Sequence, residues 1–329
     1  MNAHTHATRM PNPVITAWRT WPWRDHCGLL WHGLVIGLSA AGFLGVLILD
    51  LREGYDPVIN LPAHVWPAIW ARWDSPYYYN IAKEGYLAHP YAMGYFPLYP
   101  LLINGLAALT GLHLVTAGLL IAQVSYLVAL LVMYQLARVV RDEPGFAWRA
   151  VLALAAFPTA FFFLAMYAES LALAFGLLAV YLALRGRWVW SGLALGVAAA
   201  ARPVGWLIGL VLLVEFLRRR QFTWRSVAAF VTAGLLAGSG IVAYVVYLYQ
   251  LTGSWTAITA AQSLWLRKWT WPWVTLGKSL GIALTGNGVE GDWFLYVINW
   301  SDLLFTLLAI GLLILGVRRL PASLTIYLA

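Results

Sequence analysis

LVTAGLLIAQVSYLVALLVMYQLA, from Leu114 to Ala137, carries no charged residue. It is longer than the ~20 apolar residues that take an α-helix across a bilayer. Arg138 and Arg141 follow at once, so the segment predicts a spanning helix whose C-terminal end meets water. The same reading repeats along the chain. Leu29–Leu49, Trp148–Met166, Tyr167–Leu184, Trp188–Ala201, Pro203–Leu217, Ser226–Gln250 and Trp293–Val317 complete about eight expected spans. Leu29–Leu49 is too long for the apolar part of a cleavable signal and reads as a retained first helix. The composition agrees: 62% of the 329 residues are hydrophobic and 10% are charged, where soluble domains carry about 25% charged residues. The 19 Trp and 17 Tyr suit a chain with many water–lipid boundaries. The fold class expected is all-α, a polytopic transmembrane helical bundle.

The layout sorts charge by side. Arg138, Arg141, Arg149, Arg185, Arg187, Arg218, Arg219, Arg220, Arg225, Arg318 and Arg319 fall on one side, with Arg9, Arg19 and Arg24 of a polar lead over residues 1–28. Asp50, Glu53, Asp56, Asp74, Glu84, Glu169, Glu290 and Asp292 fall on the other. The positive-inside rule then places the N-terminal tail in the cytoplasm and two long loops, 50–95 and 251–292, outside. The domain expectation is a cytoplasmic tail, 1–28, and a membrane domain, 29–329. Phe96–Gly111 reads as a re-entrant piece of the first outer region. Leu320–Ala329 begins an apolar segment too short to span, which suggests a truncated last helix. The net charge of +8 does not point to nucleic acid, because the basic residues sit in short loops rather than on one soluble face. One cysteine, Cys27, excludes an intramolecular disulfide framework. No zinc-type Cys/His spacing, GxGxxG or Walker loop occurs. No cofactor is called for, since one carboxylate is a poor divalent-metal site.

The first outer loop holds the chemistry. Trp66, Ile69, Trp70 and Trp73 recur at helical spacing, as on a helix lying at the interface. Asp74 follows immediately. Ser75-Pro76 reads as an N-cap and first helical position of a second short helix ending near Glu84 and Gly85. A carboxylate at a membrane surface is costly unless solvated, paired or used. Asp74 is therefore the candidate general base; its alternative is a capping role. Trp188–Ala201 is too short to span, and Pro203 blocks a smooth continuation, so Arg202 is expected to be recessed. Arg202 reads either as a ligand for a lipid phosphate or as the ion-pair partner of Glu169. Glu169 reads as a turn residue or as an anchor for a sugar or for Arg202. Arg267, Lys268 and Lys278 are further phosphate candidates. Tyr77, Tyr78, Tyr79, Tyr86, Tyr91, Tyr95, Phe96 and Tyr99 are interfacial anchors, one or two of them fit to stack on a sugar.

At these residues the chain resembles a family. WDSPYYYNIAKEGY (73–86) with GYFPLYPLL (94–102), FPTAFFFLAMYAESLALAF (157–175) and AAAARPVGW (198–206) resemble, in order and spacing, stretches of GPI mannosyltransferase II (PIG-V-like) proteins and their bacterial relatives, members of the GT-C membrane glycosyltransferases. The resemblance implies a GT-C-like fold, a polyprenyl- or dolichyl-phosphate mannose donor, and inverting transfer on the non-cytoplasmic face. It implies Asp74 as catalytic base, and it matches Tyr167, Glu169 and Ser170 to the second motif and Arg202 and Gly205 to the third. With Trp73, Tyr77, Tyr78, Tyr95 and Tyr99, those residues of the second motif make the expected substrate-binding set; Arg202, Lys268 and Arg267 make the donor-phosphate set. Phe157 and Pro203-Val204 depart from the eukaryotic pattern and favour a bacterial-type enzyme. The rival readings are a transporter or flippase, which broken helices would suit, and a non-enzymatic membrane scaffold. The expected partners are the lipid-linked donor, an acceptor of unspecified kind and membrane lipids, with no nucleic acid.

Overall fold

The computed structural model describes residues 23–48, 70–89, 91–220, 222–264, 270–287 and 292–316. The chain divides into two units, Met1–Glu53 and Gly54–Ala329. The described part of the first is one helix, α1 (Trp23–Ile48). In the second follow α2 (Ser75–Glu84), α3 (Leu98–Thr110), α4 (Leu114–Val140), α5 (Pro144–Ala155), α6 (Glu169–Leu184), α7 (Trp188–Ala201), α8 (Ile208–Arg219), α9 (Trp224–Thr252), α10 (Ala257–Leu264), α11 (Pro272–Thr285) and α12 (Trp293–Gly316). No strand occurs among the described residues, so the protein is all-α. Among the described residues three helices are long and apolar enough to cross a membrane: α4, α9 and α12 from Leu295. They coincide with three of the expected spans.

Two expected spans are interrupted. Trp148–Met166 stops as a helix at Ala155, then turns through a 3₁₀ segment, Ala160–Phe163. Pro158 is the cause, because it disfavours helical backbone just before it and supplies no N–H. Pro203–Leu217 begins as a 3₁₀ segment, Pro203–Leu207, before α8 starts. There Gly205 lies against the backbone of α7: a Cβ on it would stand 2.8 Å from the Ala198 carbonyl carbon. The piece expected to be re-entrant is α3, 13 residues long, or about 20 Å.

Helix α7 packs most extensively on α9 and α6. Its Gly192 and Gly196, four residues apart, make the close approach possible. A Cβ at Gly192 would lie 2.3 Å from Ala233 Cα, and one at Gly196 2.5 Å from the Leu236 carbonyl oxygen. Small residues at this spacing let helix backbones meet. The end of α7 is thereby held beside the later half of α9.

The α6–α7 hairpin has two different ends. At one, buried Glu215 pairs with Arg218 (3.3 Å) and Arg219 (3.1 Å), and Arg219 donates to the Leu184 carbonyl at 2.6 Å. At the other, Glu169 and Arg202 form an ion pair. Sixteen residues of α6, about 24 Å, separate the two. Of the expected features, Trp66, Ile69, Asp50, Glu53, Asp56, Arg267, Lys268, Glu290, most of the 1–28 tail and the 320–329 segment lie outside the described residues.

Candidate active site

The elbow before α2 is built from main-chain strain and three cross-links. Trp73 has φ +52°, a left-handed conformation that costs a non-glycine residue roughly 1–2 kcal/mol. The segment around Met166 and Tyr167 holds it there. Met166 N–H donates to Trp70 O (2.9 Å), and the Ser75 hydroxyl donates to Met166 O (3.1 Å). The Tyr167 phenol bridges the turn, donating to Arg72 O (3.0 Å) and accepting from the Asp74 N–H (3.1 Å). The Trp73 ring packs on Phe162, 5.6 Å between centroids, and on Phe161.

Ser75 is not the cap that its sequence position suggests. Asp74 occupies the N-cap position, and Ser75 is the first helical residue. Asp74 nevertheless makes no side-chain capping bond, because its backbone is helical (φ −78°, ψ −13°) instead of extended. Its carbonyl takes Tyr77 N–H at 3.1 Å, and its carboxylate is left for other partners.

That carboxylate borders a cavity of about 100 Å³ lined by Asp74, Tyr78, Gly94, Tyr95, Phe96, Ala201, Arg202, Pro203 and Gln262. Tyr95 and Asp74 line this cavity together. Burial first, then the negative charge of Asp74, holds the Tyr95 phenol far above its usual range, so it stays a donor. Tyr78 is shifted in the same direction, by burial first and the Glu169 charge second. Arg202 is partly buried and gripped by Glu169, whose other carboxylate oxygen, Oε2, is buried without a hydrogen-bond partner. Both readings of Arg202 thus meet at one place: it is in an ion pair and it also lines the cavity.

The other expected site residues fall around this centre. The Tyr77 ring stacks on Tyr95 at 4.9 Å, and Tyr78 makes edge contacts with Tyr95 and Tyr99. Tyr99 is fully buried and its hydroxyl donates to Gly118 O (2.9 Å). Ser170 is buried with no partner for its hydroxyl. Trp73 is 43% exposed, outside the cavity, and Lys278 is exposed on α11 away from it. Arg267 and Lys268 lie outside the described residues.

Sequence reasoning missed Gln262, which bonds Gly94 O at 3.4 Å, and Tyr244, which joins Tyr86, expected only as an interfacial anchor, on one carbonyl. Both phenols donate to the Tyr95 carbonyl, at 3.0 and 2.9 Å, and Tyr244 also to Met93 O. Gln262, a polar residue within the apolar run of α10, was the one local signal. Among the described residues no three His, Cys, Asp or Glu side chains converge as metal ligands. The arrangement can accept a proton at Asp74 and hold an anionic group at Arg202 within a few ångströms of confined space.

Comparison with known proteins supports this setting. A family model described as Mannosyltransferase (PIG-V) matches residues 60–267, an interval that contains every residue of the cavity. No match was found among curated proteins or among solved structures. The matched interval covers well over half of the chain, and three of the described helices are long and apolar enough to cross a membrane. The chain therefore belongs to the PIG-V mannosyltransferase family and is a membrane glycosyltransferase.

Proposed function

We propose that the protein moves a mannosyl group from a polyprenyl-phosphate-linked donor to an acceptor hydroxyl, with inversion, and that Asp74 is the general base. The observation that carries this reading is the shared cavity of Asp74 and Arg202, brought from distant parts of the chain. The acceptor O–H bond breaks as Asp74 takes the proton. The acceptor oxygen forms its bond to the anomeric carbon from the face opposite the leaving group. The bond from that carbon to the phosphate oxygen breaks, and the electron pair leaves with the polyprenyl phosphate. Arg202, oriented by Glu169, meets the charge growing on the phosphate, where exclusion of water makes such contacts strongest. Tyr95, which keeps its phenol proton on the same cavity, serves as a donor to the carboxylate. Tyr77 and Tyr78 border the sugar, and Tyr99, Tyr167, Ser170 and Trp73 support that wall and the elbow. Arg267 and Lys268 complete the phosphate set.

The sorting of charge between the two ends of the α6–α7 hairpin supports a cytoplasmic N-terminus with tail 1–28 inside, and a site on the outer face. Purified protein given polyprenyl-phosphate mannose and a panel of acceptors tests the chemistry. Asp74→Asn is expected to lower the transfer rate by about 10²–10⁴. Near wild-type transfer by that variant removes the base assignment, and transfer from a nucleotide sugar alone removes the lipid-linked donor.

A further inference from the structure

One part of the polar cavity's wall comes from far along the chain. Helix α10 packs against the short 3₁₀ segment Ala92–Gly94, and buries Ala257 and Ala261, four residues apart, on one face. Two of its hydroxyls are satisfied close by: Thr259 donates to Thr256 O at 2.9 Å and Ser263 to Ala260 O at 2.7 Å. Gln262, partly buried, reaches across instead, donating through Nε2 to Gly94 O at 3.4 Å. Glycine at position 94 makes room for this approach, since a Cβ there would stand 2.9 Å from the same nitrogen. Gln262 and Gly94 both line the cavity that Asp74 and Arg202 share.

We propose that Gln262 is a specificity-determining residue that hydrogen-bonds a hydroxyl of the transferred hexose. The inference rests on the reaction proposed above and adds the group that reads the sugar. In an inverting displacement the acceptor oxygen, the anomeric carbon and the leaving phosphate oxygen stand in line. The hexose therefore lies between Asp74, which takes the proton, and Arg202, which holds the phosphate, and the rest of the shared wall faces the sugar. Among the described residues of that wall, the other side chains with polar atoms are Tyr78, Tyr95 and Gln262. Tyr78 and Tyr95 meet edge to face, 5.1 Å between centroids, and each packs on a further tyrosine, so they present mainly rings. Gln262 is the one side chain of the three without a ring, and it is uncharged. A carboxamide has two N–H donors and an oxygen with two lone pairs, so one bond to Gly94 orients the group without exhausting it. It both donates to and accepts from a hydroxyl, which suits a neutral sugar as Asp74 suits a proton and Arg202 a phosphate. A site built to bond a hydroxyl rejects the analogue that lacks it, because the protein's own polar group is then left unpaired.

Donor binding tests this. Polyprenyl-phosphate mannose and its monodeoxy analogues, each lacking one hydroxyl of the sugar, are titrated against the purified protein without acceptor, so no sugar is transferred. The wild-type preference for the parent over one analogue is expected to fall about tenfold in Gln262→Leu, with the preferences at the other hydroxyls unchanged. Preferences that all stay as in wild type, an equal weakening for every donor, or no binding of any donor overturns the proposal. Equal weakening is what a purely structural link between α10 and Gly94 gives. If Gln262→Leu does not fold, Gly94→Ala replaces it, because the added Cβ displaces Nε2 and leaves the carboxamide present. The same selective fall then supports the proposal, and unchanged preferences overturn it. Transfer is assayed afterwards with acceptor present. Selective binding by wild-type protein with no transfer counts against the proposed reaction and leaves Gln262 as the reader of the sugar.

Discussion

Asp74 is held by its neighbours' main chain more than by its own helix. The left-handed Trp73, the Ser75–Met166 bond and the Tyr167 bridge together set where the carboxylate starts. Tyr167 is the most instructive member, because its hydroxyl is fully occupied by Arg72 O and the Asp74 N–H. Phenylalanine there keeps the ring packing and leaves two main-chain groups unpaired, a cost of about 1–3 kcal/mol. Tyr167→Phe is thus expected to lower kcat about tenfold or more with little change in donor KM, since it shifts the proposed base and not the donor contacts. Steady-state kinetics on the pure enzyme check this; a rise in KM alone would place Tyr167 in donor binding instead.

At the scale of elements, the contact between α7 and α9 decides where Arg202 emerges. Its seam is Gly192, Gly196 and Ala200 against Ala233, Leu236 and Gly240. Any side chain at Gly196 must push the Leu236 carbonyl away, so the helices must part. Gly196→Val is expected to lower stability by about 1–3 kcal/mol, read as a lower thermal midpoint in detergent. Transfer should fall further than the lost folded fraction explains, because the end of α7 carries Arg202 away from Asp74. The same variant with wild-type activity per folded molecule would show that α7 does not set the site. The interruptions at Pro158 and Pro203 belong to this scale as well. Each trades a straight span for a folded-back segment, and those segments deliver Met166, Tyr167 and Arg202 to the elbow.

Over the whole molecule, the region around the cavity is packed with phenols whose ionisation is opposed by burial. Tyr78, Tyr86 and Tyr95 are all raised above the ordinary value near 10. The sign follows from linkage. In the unfolded chain these groups lose their protons near pH 10, while in the folded one they keep them, so unfolding releases protons and rising pH favours it. Their stabilising contribution is complete below about pH 10 and is lost progressively above it. Thermal midpoints in detergent should hold from pH 8 to 9.5 and then drop, and Tyr95→Phe should soften the drop. A midpoint that is flat through pH 11 would contradict the burial of these phenols.

Much of this was legible in the order of residues alone. The spans of α4, α9 and α12, the limits of α2 and the early end of α7 follow from runs of apolar residues and from Pro and Gly, which act within one turn of chain. The elbow's importance was legible for the same local reason, a carboxylate among rings beside a proline. The break at Pro203 was read, though not the 3₁₀ turn that follows it; the capping geometry at Ser75 and the break at Pro158 were not, and at Ser75 propensity yields to a distant acceptor, Met166 O. Arg202 could be named from sequence, but its two readings could not be separated there. Only packing joined them, by bringing the ends of α6 and α7 against α2. The contacts of Tyr86 and Tyr244 with the Tyr95 carbonyl, and of Gln262 with Gly94, came wholly from tertiary structure. Local sequence governs which backbone shapes are affordable to a segment; which side chains share a cavity depends on contacts between residues far apart in the chain, and these leave no periodicity to read.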